Sequence, residues 1–261
     1  MKKILTYLLI AISATTSAQD LTLFKKKEYA CSEGKVLPYR ILYPENYDKN
    51  KKYPLVLFLH GAGERGNDNE KQLVHGAKLF LKETNRKKYP AIVLFPQCPE
   101  NSFWSSVNLD RKKTPMTFEF NYDNPVTWPL AAVQMLVIQL LNDESIDKKR
   151  CYITGLSMGG MGTFEMLFRF PKLFAAAMPI CGGGDALHYD ERIKKTAFWI
   201  FHGDADAVVN VNESRAMVSK LKELKVPVTY TEYPTVNHTS WDNAFAEPTF
   251  LKWMFSKKRK K

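Results

Sequence analysis

Residues Cys151–Met166, CYITGLSMGGMGTFEM, decide how this chain is read. Cys151 to Thr154 is a short apolar, β-branched run, which predicts a buried strand. Gly155, Leu156, Ser157, Met158 and Gly159 follow as G-x-S-x-G. Beyond them a helix-forming stretch places Met161, Phe164 and Phe168 on one core-facing side. Strand, tight turn and helix form the context in which this motif thrusts a serine out at the edge of a sheet. The turn is strained, and Gly155 and Gly159 leave room for close backbone approach. The Ser157 hydroxyl then sits near a helix N-terminus, where the dipole favours developing negative charge.

Working outward, strands and helices alternate. Leu21–Tyr29 and Val36–Tyr43 read as two strands around a turn at Ser32, Glu33 and Gly34, an antiparallel hairpin at a sheet edge. Pro54–His60 (PLVLFLH) is a near-continuous apolar run, as expected of a parallel strand covered on both faces. Ala91–Phe95, Phe174–Ile180 and Ala197–His202 read likewise, and Val226–Tyr233 alternates. Pro129–Asn142, Val211–Leu224 and Trp241–Phe255 read as helices. The pattern predicts one doubly wound, mainly parallel α/β domain over residues 19–256, with little or no cap. Asn101–Trp128 is the least regular stretch and is rich in aromatics. It is either a substrate-facing wall or a long connection whose rings patch the core.

Bulk properties narrow the function classes. In 261 residues, 45% are hydrophobic and 25% charged, an ordinary globular composition. Lys2 and Lys3, the apolar run Ile4–Ala14 and the small residues Thr16, Ser17 and Ala18 predict a signal peptide over residues 1–18. The expected mature protein is exported, periplasmic or extracellular. No segment is long and apolar enough to predict a transmembrane helix. Net charge is +11, or +11 − 2 = +9 without Lys2 and Lys3. Lys257, Lys258, Arg259, Lys260 and Lys261 supply five of these charges. No nucleic-acid recognition motif accompanies them, so residues 257–261 read as a solvated basic tail. Cys31, Cys98, Cys151 and Cys181 show no C-x-x-C spacing, which leaves a metal or redox site without support. Export permits disulfides, yet the last three lie at strands or strand ends, where buried free thiols are common.

A serine hydroxyl needs a base within reach, and the base needs a third group to orient it. In an elbow fold these follow in the order Ser, Asp or Glu, His. Of five histidines, only His238 follows the last predicted strand. The acid belongs in the loop Gly203–Val209, where Asp206 sits farther out than Asp204; Asp204 more readily bonds its own loop backbone. Asp242 is a weaker candidate that could instead cap the final helix. The backbone N–H groups of Met158 and, in the glycine-rich loop after Pro54–His60, Ala62 are the expected oxyanion donors.

These stretches carry a family resemblance. LFLHGAGERGND (Leu57–Asp68), FPQCPE (Phe95–Glu100), YITGLSMGGMGTF (Tyr152–Phe164), PICGGGD (Pro179–Asp185), FHGDADAVV (Phe201–Val209) and YPTVNHTSWDNAF (Tyr233–Phe245) span most of the chain. The chain resembles α/β-hydrolase serine esterases of the phospholipase/carboxylesterase group. It is most similar to their exported bacterial prolyl-oligopeptidase-like members, themselves related to feruloyl and acetyl-xylan esterases. The resemblance implies Ser157 as nucleophile, Asp206 as acid, His238 as base, Ala62 and Met158 as oxyanion donors, and Gly61 and Trp104 on the substrate side. Asn210 stands where relatives often have Pro, and Asn237 where Gly is common. No cofactor or metal is expected. The partner is a small-molecule or polysaccharide ester; the residues set no oligomeric state. A peptidase using the same residues and a catalytically silent polysaccharide-binding protein are the alternatives. The intact Ser, Asp and His set weighs against the last.

Overall fold

The structure, a computed structural model, describes residues 20–31, 34–142 and 145–259. The expected signal peptide lies outside them. Eight strands form one sheet: β1 (Lys25–Ala30), β2 (Val36–Leu42), β3 (Tyr53–Leu59), β4 (Ile92–Pro96), β7 (Ile146–Leu156), β8 (Ala176–Ile180), β9 (Ala197–Gly203) and β10 (Val228–Tyr233). A separate hairpin holds β5 (Val107–Asp110) and β6 (Thr117–Phe120). The helices are α1 (Ala77–Leu81), α2 (Glu83–Lys88), α3 (Trp128–Leu141), α4 (Met158–Arg169), α5 (Val211–Glu223), α6 (Ser240–Ala246) and α7 (Phe250–Ser256).

The strand order is β1-β2-β4-β3-β7-β8-β9-β10. The β1/β2 and β2/β4 pairs are antiparallel and the rest parallel. Register runs straight across the centre, with Leu57 beside Ile153, Ile153 beside Ala177, and Ala177 beside Phe198. Every residue of β3 is buried because both faces are covered. Leu55, Leu57 and Leu59 point into one core with Val133, Phe164 and Leu221 from α3, α4 and α5. Val56 and Phe58 point into the other with Phe80, Phe250 and Met254 from α1 and α7. Each fully buried Leu or Phe contributes about 1.5–3 kcal/mol. Two cores on one sheet therefore hold the strand ends, and the loops on them, in fixed positions.

Four elements depart from the sequence expectation. Leu21–Leu23 is a 3₁₀ turn capped by Asp20, whose Oδ1 accepts from Thr22 N at 2.8 Å, so β1 begins only at Lys25. The final helix is two, because Pro248 cannot donate to a helical ladder and α6 stops at Ala246. Residues 101–128 contain the β5–β6 hairpin, whose four-residue strands are too short to show a period. The basic tail is not free as far as Arg259: Tyr152 Oη donates to Lys257 O (2.8 Å) and Arg259 N to Lys149 O (2.9 Å). All four cysteines are free thiols; burial, aided by Asp147, pushes the Cys151 thiol up to about 12.

Candidate active site

β7 delivers Ser157 at its C-terminal end, directly before α4. Ser157 has φ 52° and ψ −118°, a strained backbone for a residue with a side chain. The turn is held by Ser157 N–H donating to Ile180 O at 2.9 Å. A Cβ at Gly159 would collide with the Leu59 carbonyl, and one at Gly155 with Gly159 O. The glycines of G-x-S-x-G are thus required because β3, β7 and the start of α4 touch through backbone.

The predicted partners converge on this serine. His238 Nε2 lies 2.9 Å from Ser157 Oγ, and His238 Nδ1 lies 2.7 Å from Asp206 Oδ2. Asp206 follows β9 and His238 follows β10, and these neighbours carry both loops to one edge. Asp206 Oδ1 accepts from the N–H groups of Val208 (2.8 Å) and Val209 (2.9 Å). Burial works against its charge, but hydrogen bonds from His202 and His238 outweigh it and hold the carboxyl well below the usual range. Asp204 takes a different part from the one expected. Its Oδ1 accepts from Thr235 N (2.6 Å) and so ties the Asp206 loop to the His238 loop. Asn237 adds to this tie, with Oδ1 accepting from Ala207 N (2.9 Å) and His238 N (2.7 Å). Asp242 sits in the first turn of α6.

The loop after β3 supplies the opposite wall. Ala62 opens a 3₁₀ turn and Met158 opens α4, positions whose N–H groups a helix leaves without internal partners. Both residues, with Gly61, line the same cavity as Ser157 and His238. The loop is fixed from beneath. His60 Nε2 accepts from Cys98 N (2.9 Å), so Nδ1 carries the proton and donates to Gly61 O (2.6 Å). Burial, the largest influence, lowers His60 to about 4, leaving it neutral. Arg65 Nε donates to Ala62 O (2.9 Å), and its guanidinium lies 4.9 Å over Phe103.

Trp104 corrects the sequence expectation. It is fully buried, with Nε1 donating to His60 O (3.2 Å) and its ring 5.2 Å edge-on from His60. The chain dives into the core at this point, so Trp104 supports the Gly61–Ala62 loop from behind rather than facing substrate. Tyr122 is buried too, whereas Phe103 and Phe118 line the cavity. The aromatic stretch thus divides between core and wall.

The cavity holds about 440 Å³. Leu109, Met116 and Phe118 of the hairpin region line it with Val208, Val209 and Met161, and Glu64, His75 and Trp241 line it as well, the Trp241 ring 5.4 Å from that of His238. The hairpin is docked by a Met116–Val209 bridge and by Glu165 of α4. That fully buried carboxylate accepts from Ser106 N (2.5 Å), Ser105 Oγ (2.8 Å) and Arg169 Nε (2.7 Å). An acid in the apolar stripe beside Phe164 and Phe168 is the sequence signal that marks Glu165. Arg65 and Trp241 carried no such signal. Among the described residues, Cys181, Asp206 and His238 bring possible metal-ligand atoms within 4.8 Å of one another. Asp206 and His238 already bond each other, and burial raises the Cys181 thiol, so the set does not suit a cation.

The strand order, with a serine at the turn after β7 and an Asp and a His after β9 and β10, defines an α/β-hydrolase fold. A family model described as "Putative esterase" matches residues 34–246. The chain belongs to the Esterase family. It is 28% identical to mouse lysophospholipase-like protein 1 over 195 residues, 70% of this chain and 79% of the relative. It is 23% identical to a bifunctional acetylxylan esterase/xylanase of Neocallimastix patriciarum over 75% of this chain, but spans only 25% of that protein. A thermostable esterase structure aligns with TM-score 0.82 and 41% identity over 91% of this chain and 64% of that one. The fold is shared with a ferulic acid esterase of Anaeromyces mucronatus, TM-score 0.62 at 17% identity, over 88% and 91% of the two chains.

Proposed function

We propose that this chain is an exported serine hydrolase that cleaves carboxylic esters, its substrates being carbohydrate-linked acyl groups of the feruloyl or acetyl type. The observation that carries the reading is the hydrogen-bonded series Ser157 Oγ, His238 and Asp206, 2.9 and 2.7 Å apart, opening into a cavity beside Ala62 and Met158. Ser157 Oγ attacks the ester carbonyl while its proton passes to His238 Nε2. The N–H groups of Ala62 and Met158 receive the oxyanion. Collapse breaks the C–O bond, and His238 returns the proton to the departing alcohol. Water, deprotonated by His238, then attacks the acyl-enzyme and frees the acid and Ser157. Asp206 keeps the Nδ1–H tautomer and stabilises the imidazolium.

The substrate class is supported by the names of an acetylxylan esterase relative and a ferulic acid esterase fold neighbour. The apolar hairpin wall, with Phe118, suits an aromatic acyl group. Export rests on the leader sequence; no helix among the described residues is long and apolar enough to cross a membrane.

The test is hydrolysis of p-nitrophenyl acetate and butyrate, methyl ferulate and a peptide anilide, with Ser157→Ala alongside. Ester turnover falling in the variant by about 10⁶, as in the best-studied triad enzyme, is expected. Anilide cleavage exceeding ester cleavage would replace this reading with a peptidase. Turnover that survives Ser157→Ala would remove Ser157 from the mechanism.

A further inference from the structure

Asp206 faces two histidines, and the mechanism uses one. His202, the penultimate residue of β9, has a fully buried side chain. Its Nε2 lies 3.0 Å from Val209 O and 3.2 Å from Asp206 Oδ2. Neither acceptor carries a hydrogen, so Nε2 must carry the proton. Its N–H points chiefly at Val209 O and is shared with the carboxylate. Nδ1 lies 2.7 Å from Ser214 Oγ, which is also 2.8 Å from Gly182 O. The Ser214 hydroxyl has one hydrogen. Neutral His202, with its proton on Nε2, has Nδ1 accept the Ser214 hydroxyl; with the hydroxyl turned to Gly182 O, Nδ1 carries a second proton and the ring is a cation. In both arrangements Nε2 stays a donor towards Asp206.

We propose that His202 is a positioning residue for Asp206, setting both the orientation of its carboxylate and the strength with which it holds His238. This rests on the triad reading given above. Val208 and Val209 N–H occupy Oδ1, while His238 and His202 share Oδ2. A carboxylate with four donors has one orientation, and that orientation aims Oδ2 at His238 Nδ1. The same donors spread its charge. Without His202, more of the charge on Oδ2 faces His238, so His238 keeps its second proton to higher pH.

His75 and Glu64, 3.7 Å apart, line the cavity with His238, and three more ionisable groups lie around His202 and Asp206. Glu213 of α5 acts on His202 and is itself raised by burial. Glu232 of β10 is held at about 2, first by its hydrogen bond from Arg215, against burial. The Cys181 thiol beside Asp206 is raised by burial and stays neutral. None of them is altered in the test.

The experiment is kcat/KM against pH on p-nitrophenyl acetate, for the intact protein, His202→Phe, His202→Asn and His202→Gln. Phe removes the polar contacts of both ring nitrogens. Asn retains a polar group near Ser214 but is too short for Asp206, whereas the Gln amide extends to where Nε2 stood. Phe and Asn are expected to move the acid limb up by about half to one pH unit, since a carboxylate with one donor fewer leaves more of its charge to His238, and a nearby opposite charge favours the protonated imidazole. At a pH below the limb this is a further three- to tenfold loss beyond that on the plateau, one unit being tenfold. Gln is expected to bring the limb back towards that of the intact protein. An unmoved limb in Asn with activity lowered evenly at every pH overturns the proposal. So does a Gln limb displaced as far as the Asn limb. If Phe does not fold, Asn and Gln still decide. Absence of Ser157-dependent ester hydrolysis in the intact protein overturns the triad reading and this one together.

Discussion

Replacing Glu165 by Leu tests whether one buried carboxylate sets the shape of the cleft. Glu165 is fully buried on α4 and holds Ser106 N–H, the Ser105 hydroxyl and Arg169 Nε at 2.5–2.8 Å. Leu fills the volume but accepts nothing. The Ser106 N–H loses its acceptor, at about 1–3 kcal/mol. Arg169 keeps Nη2 on Asn124 O (2.7 Å) and is only 16% exposed, so it is a mostly buried cation without its anion. Breaking a buried pair from one side costs about 3–5 kcal/mol. The two losses share one site and do not add, so the expected cost is about 4 kcal/mol. At about 2–4 °C per kcal/mol for a chain of this size, Tm falls by about 8–16 °C. Ser105 and Ser106 lead directly into β5, so the hairpin wall loosens as well. KM for p-nitrophenyl butyrate should rise, with a smaller change in kcat. Glu165→Gln keeps the acceptor oxygen and should lie between the two. Denaturant unfolding of all three proteins is the assay. A Leu variant within about 1 kcal/mol of the parent would refute the argument that Glu165 anchors the wall.

Two further outcomes follow from the Leu59–Ala62 segment and what packs against it. His60 titrates at about 4 in the fold, against about 6.5 when unfolded, so between these values the unfolded chain binds the extra proton. Stability should therefore fall as pH drops from about 6.5 to 4, by roughly 3 kcal/mol at the full 2.5-unit difference, and His60→Gln should flatten that slope. An equal slope in parent and variant would assign the acid sensitivity elsewhere. Gly159→Ala places a methyl group against the Leu59 and His60 carbonyls, which are backbone and cannot swing away. It should cost about 3 kcal/mol or more and displace Ser157, visible as a Tm loss together with a fall in kcat.

Local sequence determined a great deal here. The apolar run before Gly155, the glycines around Ser157 and the helix-forming residues after it specify an elbow within sixteen residues, because strand, turn and helix signals are short-range. Chain order then singled out His238, and loop position favoured Asp206 over Asp204. What the tertiary structure alone decided lies in contacts between distant segments. Ser157 and His238 are 81 residues apart and meet only because β7 to β10 lie parallel and in register. Asp204 spends its carboxylate on Thr235, across the gap between two loops, which no reading of its own loop predicts. Trp104 stands in an aromatic stretch like any wall residue, but the fold turns it inward against His60 while Phe103 beside it stays in the cavity. His202 stands one residue before the end of β9 and His60 one residue beyond β3, each followed by a glycine. Only the packing of α5 and the Asp206 loop makes one a neighbour of Asp206 and the other a support for the Gly61–Ala62 loop. A strand end exposes its last residues to whatever loop the neighbouring strands bring there, so their partners are set by sheet order and not by adjacent sequence.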